Sequence, residues 1–380
     1  MIKISFKPKN QKNNVIPILE YYGYVIAKLV DSFSLFSTFI DKLETLYIRK
    51  TIGTIEINSP IFITGIPRSG TTITLEMLAK HPEVASHKYK HLLMPYIPYW
   101  FSNAINKLKI SLEPTERIHQ DRIFINQDSP EAVEEIFWQR FFENVHNESD
   151  SNILDNNTKN EEFENFYKNH IKKLLISQES SRYIAKNNYN LTRLEYLIKI
   201  FPDVKFVILI RNPINQIASI IKQQKSFIKM ESISPLLSEW NNILGHHEFG
   251  NHSSLINLND YELVKKIRSL LKNKNSYVKG WGYYWTSLYD HVMKIIKINK
   301  KVKKASLIVR YEDLCESSSS TIDKILDHTN LPHEQFDHTK KYYVRCLEKP
   351  SYYKPHFSDI EIENILKITR PTAKKYGYQL

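Results

Sequence analysis

Runs of apolar residues, each followed by a stretch with helical periodicity, form the clearest pattern along this 380-residue chain. Three runs are continuous and partly β-branched, at residues 61–64, 204–210 and 306–309, and a shorter one lies at residues 183–185. Strands that are apolar throughout are typical of parallel sheets, because helices cover both faces of such a sheet. The pattern therefore predicts a three-layer α/β fold with a central parallel sheet and helices on both faces.

The first 55 residues are predicted to form an N-terminal helical extension. Residues 15–47 are apolar and aromatic, but charged residues interrupt them before a membrane-spanning length of roughly 20 residues is reached. We expect two amphipathic helices that pack on the domain. Peripheral contact of these helices with a membrane surface, or with a partner's groove, is the alternative. Residues 56–380 are predicted to form one domain, since no Pro-, Gly- or Ser-rich linker divides them.

Composition narrows the expected compartment and the kind of ligand. Only two cysteines occur, Cys315 and Cys346, so a disulfide framework is not expected and a cytoplasmic location is the default. The formal net charge of +12 favours anionic ligands. The densest basic run, residues 294–304, lacks the aromatic residues of a single-strand nucleic-acid platform, so we expect no nucleic-acid partner. The oligomeric state is left open.

A loop suited to binding a phosphate follows the first apolar run, at residues 64–72. It contains two of the chain's nine glycines, Gly65 and Gly70, which allow a tight turn and bring successive N–H groups together at a helix start. In the nucleoside-triphosphate loop G-x-x-x-x-G-K-[ST], a lysine clamps the β- and γ-phosphates, but Thr71 occupies that position here. The cation stands earlier, at Arg68, whose planar fork suits a terminal phosphate or sulfate. This predicts a ligand without a γ-phosphate and no required metal ion.

A second anion site is predicted beside the first. Arg211 ends the run at residues 204–210, Pro213 suits the first turn of a helix, and Ser219 lies about two turns further on. Lys186 follows the short run at residues 183–185. Because the carboxyl ends of parallel strands meet at one edge of the sheet, these side chains are expected to share a crevice with the loop.

The residues of both sites resemble those of PAPS-dependent sulfotransferases, which use 3′-phosphoadenosine 5′-phosphosulfate (PAPS). Residues 206–213 together with Ser219 resemble the segment that binds the 3′-phosphate, and residues 81–84 and 308–314 resemble other parts of the family pattern. Six consecutive residues resemble the phosphosulfate-binding loop of that family: Pro67, Arg68, Ser69, Gly70, Thr71 and Thr72.

This resemblance implies a P-loop-type fold and PAPS as co-substrate, with no metal ion. It also implies in-line transfer of the sulfuryl group to a hydroxyl of a carbohydrate, a lipid or a small molecule. The six loop residues, Arg211 and Ser219 would bind PAPS, and Arg68 and Lys186 would contact the transferred group.

The general base is the part of the site that the sequence leaves open. Some members of the family place a carboxylate shortly after the His-Pro-x-Val element, but residues 85–91 contain no acid here. The candidates are imidazoles, which can take a proton near neutral pH, and carboxylates at a predicted helix start. They are His91, His87, Glu134 and Glu135, with His119 as a weaker one.

A cluster of two histidines and a glutamate lies at residues 245–250. Adjacent histidines point to different faces of a helix or strand, and no spaced partner is present, so metal binding is not expected. An acceptor-pocket loop, beside the aromatic residues between 281 and 285, is the favoured interpretation.

Two other classes of function are kept as alternatives. A P-loop small-molecule kinase or nucleoside triphosphatase would turn over ATP with magnesium, and the missing loop lysine speaks against it. A non-catalytic protein that binds anions or membranes would retain that binding when Arg68 is replaced by alanine.

Overall fold

The computed structural model describes residues 34–108, 113–116, 123–348 and 355–380. Within these ranges five parallel strands form a central sheet in the order β2-β5-β1-β6-β7. These strands are β1 (Ile61–Thr64), β2 (Val84–Ser86), β5 (Arg182–Lys186), β6 (Lys205–Ile210) and β7 (Ser306–Arg310). A separate antiparallel pair consists of β3 (Thr115–Glu116) and β4 (Phe124–Ile125).

Helices alternate with the strands and cover both faces of the sheet. In the first half of the chain the described α-helices are α1 (Ser34–Tyr47), α2 (Arg49–Thr54), α3 (Thr71–Leu78), α4 (Pro98–Leu108), α5 (Glu135–Phe141), α6 (Glu161–Gln178) and α7 (Leu194–Ile200). In the second half they are α8 (Pro213–Ile233), α9 (Pro235–Ile243), α10 (Tyr261–Lys272), α11 (Tyr277–Ile298), α12 (Lys300–Ala305), α13 (Tyr311–Glu316), α14 (Ser318–Thr329), α15 (Asp337–Cys346) and α16 (Asp359–Lys375). Short 3₁₀ helices lie at Tyr89–Leu92, Asn188–Thr192 and Glu334–Phe336.

Alternating side chains of the strands feed two hydrophobic clusters, one on each face of the sheet. Phe62 and Phe206 are fully buried in a cluster with side chains of α6 and α11. Their neighbours Ile63 and Val207 point to the other face and pack with side chains of α3 and α14. Burial on both faces explains why the strands read as continuous apolar runs, and it confirms the predicted three-layer α/β fold.

The four predicted strands are confirmed, with ends within one or two residues of the apolar runs. The remaining strand of the sheet, β2, was not predicted. It has only three residues, too few to show a period, and it is fixed by pairing with β5, where Val84 lies opposite Arg182.

Helix α1 is held on the domain by buried charges. Lys173 of α6 is fully buried, with its Nζ 2.7 Å from Oδ1 of Asp41 and 3.0 Å from Oε2 of Glu44. The other carboxylate oxygen of Glu44 accepts a hydrogen bond of 2.7 Å from the backbone N–H of Trp100. Burial raises the pKa values of Asp41 and Glu44, and Lys173 opposes that shift. Breaking this buried cluster by removing one partner would be strongly destabilising.

The predicted N-terminal extension is described only from residue 34 onward, in α1 and α2. Residues 15–33 of its apolar stretch, and His119, lie outside the described residues. Among the helices of the described ranges, none has both the length and the apolar character needed to cross a membrane. The division into residues 1–55 and 56–380 stays a prediction.

Candidate active site

The loop between β1 and α3 turns sharply at two glycines. Gly70 has a φ of 99°, and a Cβ there would lie 2.5 Å from a ring carbon of Tyr311. At Gly65 a Cβ would lie 2.5 Å from the carbonyl oxygen of Leu209. Helix α3 can therefore begin at Thr71, directly above the sheet edge. The first N–H groups of a helix have no intrahelical acceptor, so they are available to an anion at this point.

Gln216 of α8 supports the backbone of the loop through hydrogen bonds. Its Nε2 donates to the carbonyl oxygens of Ile66 and Pro67, at 3.0 Å and 3.1 Å. Its Oε1 in turn accepts a 2.8 Å hydrogen bond from the indole N–H of the buried Trp285. Two carbonyl groups of the loop are therefore bonded to α8. Sequence reasoning missed Gln216, although a polar residue on the buried face of a helix was a signal that could have found it.

The structure brings the two predicted anion sites into direct contact. The Nε of Arg68 donates to the hydroxyl of Ser219 over 3.0 Å. The Nη1 of Arg211 lies 3.3 Å from the carbonyl oxygen of Arg68, and the Arg211 guanidinium lies 4.8 Å from the ring centre of Tyr311. The Nε of Arg211 is buried and finds no acceptor among the described residues. Two guanidinium groups and a hydroxyl thus meet at the carboxyl ends of β1 and β6, the edge at which the sequence predicts a ligand crevice.

Helix α8 places Ser219 beside Arg68 at that edge. The side chain of Asn212 caps the helix by accepting from the N–H groups of Ile214 and Asn215, and Pro213 occupies the first turn, as predicted from its fixed φ. Ser219 follows about two turns later and is largely buried. The cap therefore sets the distance between Arg211, just before the helix, and Ser219 within it.

On the other side of β1, the end of β5 supplies Lys186 and Asn188. Lys186 pairs in register with Ile63, so its backbone lies at the same sheet edge as the loop. The carbonyl oxygen of Asn188 accepts from the Thr64 hydroxyl over 3.4 Å, and its side-chain oxygen lies 3.5 Å from the Thr71 hydroxyl. Lys186 therefore borders the loop on the side opposite to Arg211.

A cavity of about 200 Å³ lies beside the loop and is lined on one side by Ile66 and Pro67. Glu248 and Phe249 line it as well, together with Trp281 and Tyr284 of α11. This places the predicted acceptor-pocket loop, residues 245–250, next to the phosphate loop.

Glu134 lies away from this cavity, in a fully enclosed site. Only 1% of it is exposed, and its Oε1 accepts hydrogen bonds from the hydroxyl groups of Tyr167 and Tyr183. Burial raises the pKa of Glu134 from 4.5 to about 7, although both tyrosines lower it. This pKa would suit a base near neutral pH, but the carboxyl group lacks the access that proton transfer from a bound acceptor requires.

The raised pKa of Glu134 predicts a distinct pH dependence of stability for Glu134→Gln. The folded carboxyl group binds its proton more tightly than the unfolded one, so its contribution to the free energy of unfolding is complete below pH 4.5 and is lost as the pH rises through about 7. Glutamine cannot ionise. Relative to the wild type, the free energy of unfolding of Glu134→Gln should therefore rise by about 3 kcal/mol between the acidic and the alkaline end of this window.

Urea unfolding of both proteins across that window measures this gain, and the exposed Glu262→Gln on α10 is the matched control. A difference between wild type and Glu134→Gln that does not change with pH would contradict the shifted pKa.

The two histidine candidates within the described residues, His91 and His87, are also buried and hydrogen-bonded. His91 is fully buried, with Nδ1 accepting from the backbone N–H of Lys88 and Nε2 2.9 Å from the Ser102 hydroxyl. Burial lowers the pKa of His87 to about 3, and its Nε2 lies 3.1 Å from Nε2 of the buried His170. These histidines act as packing and hydrogen-bonding groups in this conformation, so we leave them out of the proposed chemistry.

Glu135 lies in a buried ion-pair network. Its two oxygens each lie 2.7 Å from a guanidinium nitrogen of Arg193, and Oε1 lies 2.6 Å from Nε2 of His146. Burial alone would raise the pKa of Glu135, but Arg193 and His146 outweigh it and hold the pKa below its usual value. A carboxylate held this firmly is a poor proton acceptor and a strong structural anchor.

The two histidines beside Glu248 have different surroundings. The Nδ1 of His246 lies 3.9 Å from Oε2 of Glu248, while His247 packs against His146 with ring centres 4.1 Å apart and ring planes tilted by 37°. Within the ranges that the structure describes, no three histidine, cysteine or acidic side chains are grouped so as to hold a metal ion.

The parallel sheet and its loop define this protein as an α/β protein of the P-loop type. The chain belongs to the sulfotransferase family, whose model matches residues 60–249, half of its length. It is therefore a sulfotransferase by family, as the resemblance of the loop and of the Arg211 segment implied. No curated protein sequence matches the chain.

Solved structures of bacterial sulfotransferases are similar to it in fold. The sulfotransferase STF9 from Mycobacterium avium has 12% sequence identity and a TM-score of 0.50, over 89% of this chain and 82% of that one. The sulfotransferase STF1 from Mycobacterium tuberculosis has 12% identity and a TM-score of 0.47, over 93% of this chain and 86% of that one. At this identity the first of these supports the fold alone.

Proposed function

We propose that the protein transfers the sulfuryl group of PAPS to a hydroxyl group of an acceptor. The observation that carries this proposal is the convergence of Arg68, Arg211 and Ser219 on a phosphate loop that lacks the lysine of a triphosphate site. Such an arrangement of cations suits a nucleotide with phosphate groups at two positions and no γ-phosphate.

The two ends of the nucleotide are assigned to two parts of this arrangement. The loop N–H groups from Ser69 to Thr72, at the positive end of α3, hold the 5′-phosphosulfate. Arg211 and Ser219 hold the 3′-phosphate, with the buried Nε of Arg211 as an unused donor for it. Arg68 lies between the two sites and stabilises the charge of the transferred group.

The reaction is a single in-line displacement. The acceptor oxygen forms a bond to sulfur while the bond from sulfur to the 5′-phosphate oxygen breaks, so 3′-phosphoadenosine 5′-phosphate (PAP) leaves with that electron pair. Charge builds on the equatorial oxygens of the sulfuryl group, where Arg68 and Lys186 supply positive charge. The proton of the acceptor hydroxyl passes to a base. No metal ion is required in this scheme.

Labelled PAPS tests the proposal directly. The protein is incubated with it and with cell extract, in the presence of a chelator, and the labelled product is identified. We expect transfer of label and release of PAP without magnesium. ATP turnover that depends on magnesium, without label transfer, would instead support a kinase or triphosphatase. Binding of polyanions or vesicles that survives Arg68→Ala, again without transfer, would support a non-catalytic protein.

A further inference from the structure

We infer that the acceptor is a small apolar alcohol or phenol that lies in the cavity beside the loop, and that Glu248 is the base that takes its proton. The inference rests on the proposed sulfuryl transfer and adds to it the substrate class and a catalytic residue. Neither the family match nor the loop residues specify either of these.

The walls of the cavity are mainly apolar. Side chains from α8, α11 and the segment between α9 and α10 supply most of its surface, and they include Ile220, Ile228, Phe249, Trp281, Tyr284 and Leu288. The guanidinium of Arg268 also borders the cavity, but Glu148 holds it, with both carboxylate oxygens within 3.0 Å of its Nε. Polar side chains border the cavity as well, among them those of Asn188, Gln224, Ser253, Ser254 and Lys272. They are fewer than the apolar ones, so a sugar would leave some of its hydroxyl groups unpaired, at a cost in free energy for each such group.

The size of the cavity limits the acceptor further. Its volume is about 200 Å³. A dry cavity of about 150 Å³ lined by Leu, Ile and Phe holds one benzene molecule. The enclosed space therefore fits one aromatic ring with a short substituent, or a short alkyl chain.

Glu248 is the carboxylate that joins this cavity to the loop. It lines the cavity, and its Oε1 accepts a 2.8 Å hydrogen bond from the side-chain amide of Asn188. Asn188 in turn lies 3.5 Å from the Thr71 hydroxyl at the start of α3. These two contacts place the Glu248 carboxylate within about 9 Å of the loop. This distance leaves room for an acceptor oxygen that lies about 3 Å from the base and about 3 Å from sulfur.

Side chains of α8 hold the segment that carries Glu248 through hydrogen bonds. The side chain of Gln224 makes two 3.0 Å hydrogen bonds with the backbone of Gly250, one to its carbonyl oxygen and one from its N–H. Glu231 accepts a 2.6 Å hydrogen bond from the backbone N–H of Asn251. The Glu248 side chain is 14% exposed, in contrast to the enclosed Glu134, so it can meet a bound hydroxyl group. A base on a fixed segment reaches the acceptor without a change of backbone conformation.

In this reaction Oε2 of Glu248 receives the acceptor proton as the new oxygen–sulfur bond forms. The pair of electrons from the broken bond leaves on PAP. The protonated carboxyl group then returns its proton to solvent after the sulfated product departs.

An acceptor panel tests the substrate class. Transfer from labelled PAPS is measured with phenol, benzyl alcohol and hexanol, and with glucose and a tyrosine peptide. We expect kcat/KM for the first three to exceed that for glucose by about 100-fold, since the cavity buries their carbon atoms. Preference for glucose or for the peptide would overturn the substrate class while leaving sulfuryl transfer intact.

Variants test the role of Glu248. Glu248→Gln should lower kcat for phenol by about 10²- to 10⁴-fold and remove the acidic limb of the pH–rate profile. PAP affinity should stay unchanged, and Glu262→Gln should leave both the rate and the profile unchanged. A Glu248→Gln enzyme that keeps the acidic limb would overturn the assignment of the base.

Trp281→Ala tests the occupant of the cavity. It should raise KM for phenol about tenfold without changing PAP affinity. If Trp281→Ala does not fold, Ile228→Trp replaces it as the test. Ile228 is 40% exposed, and a larger side chain there narrows the cavity from its rim. Loss of PAP affinity in either folded variant would assign the cavity to the nucleotide and refute the inference. Failure of the wild type to bind PAP at all would refute the proposed function itself.

Discussion

Replacing Arg68 with alanine is expected to lower kcat/KM for sulfuryl transfer by about 10²- to 10³-fold, the effect of removing one preorganised donor from a developing charge. Arg68 is the cation of the loop itself, since Thr71 stands where a triphosphate loop has lysine. The guanidinium is positioned by Ser219, 3.0 Å away. Release of PAP from labelled PAPS, with an acceptor from the panel above, measures the effect.

Two further substitutions separate chemistry from folding. Arg68→Lys should recover part of the activity, because an ammonium group supplies charge but not the planar fork. Arg68→Gly should be as inactive as Arg68→Ala but more stable by about 1 kcal/mol, because φ of residue 68 is 71°, a conformation that costs any residue with a Cβ. The exposed Arg345→Ala on α15 is the control for loss of one positive charge. Full activity in Arg68→Ala would show that the loop N–H groups stabilise the charge of the transferred group without Arg68.

The fold and the anion-binding loop could be predicted because each depends on residues that are neighbours in sequence. Strands buried on both faces must be apolar throughout, and a tight phosphate loop needs glycine where a Cβ would strike Leu209 or Tyr311. Even the nearness of Arg68 and Arg211 follows from this logic, since the ends of adjacent parallel strands must meet.

The sequence could not narrow the candidates for the base, because burial depends on partners that are distant in sequence. Glu134 is a plausible base by its position at a helix start, yet Tyr167 and Tyr183, from another helix and a strand, enclose it. His91 sits in a segment that matches the family pattern nearby, but Ser102 occupies its Nε2. The sequence suggested Glu248 only as part of an acceptor-pocket loop at residues 245–250 and not as a base. Its place beside the loop depends on Asn188, 60 residues earlier in the chain.

Trp285 shows the same limit for residues that support the site. Core packing is the ordinary interpretation of a tryptophan in an aromatic run, and Trp285 is indeed buried. Its N–H, however, orients Gln216, which in turn holds two carbonyl groups of the phosphate loop. A core residue therefore contributes to the geometry of the site through one hydrogen bond that no local pattern encodes.

Arg211→Ala is expected to abolish the preference of the protein for a 3′-phosphate. Arg211 follows directly on β6, stacks on Tyr311, and keeps a buried Nε that has no acceptor among the described residues. Glu312 accepts the 3.0 Å hydrogen bond from the N–H of Asn212, which fixes the chain just after Arg211. Removing one partner of a buried charged hydrogen bond costs about 2–5 kcal/mol, so PAP affinity should fall on the order of 10²-fold.

The decisive quantity is the ratio of affinities for PAP and for adenosine 5′-phosphate, which differ only in the 3′-phosphate. Arg211 also contacts the loop through the carbonyl oxygen of Arg68, at 3.3 Å, so its loss could weaken both ligands together. A change in the loop would lower both affinities and leave their ratio intact, whereas loss of a 3′-phosphate contact collapses the ratio toward one. Calorimetric titration of both ligands into wild type, Arg211→Ala and Ser219→Ala therefore separates the two effects. A ratio that stays at the wild-type value in Arg211→Ala would place the 3′-phosphate elsewhere.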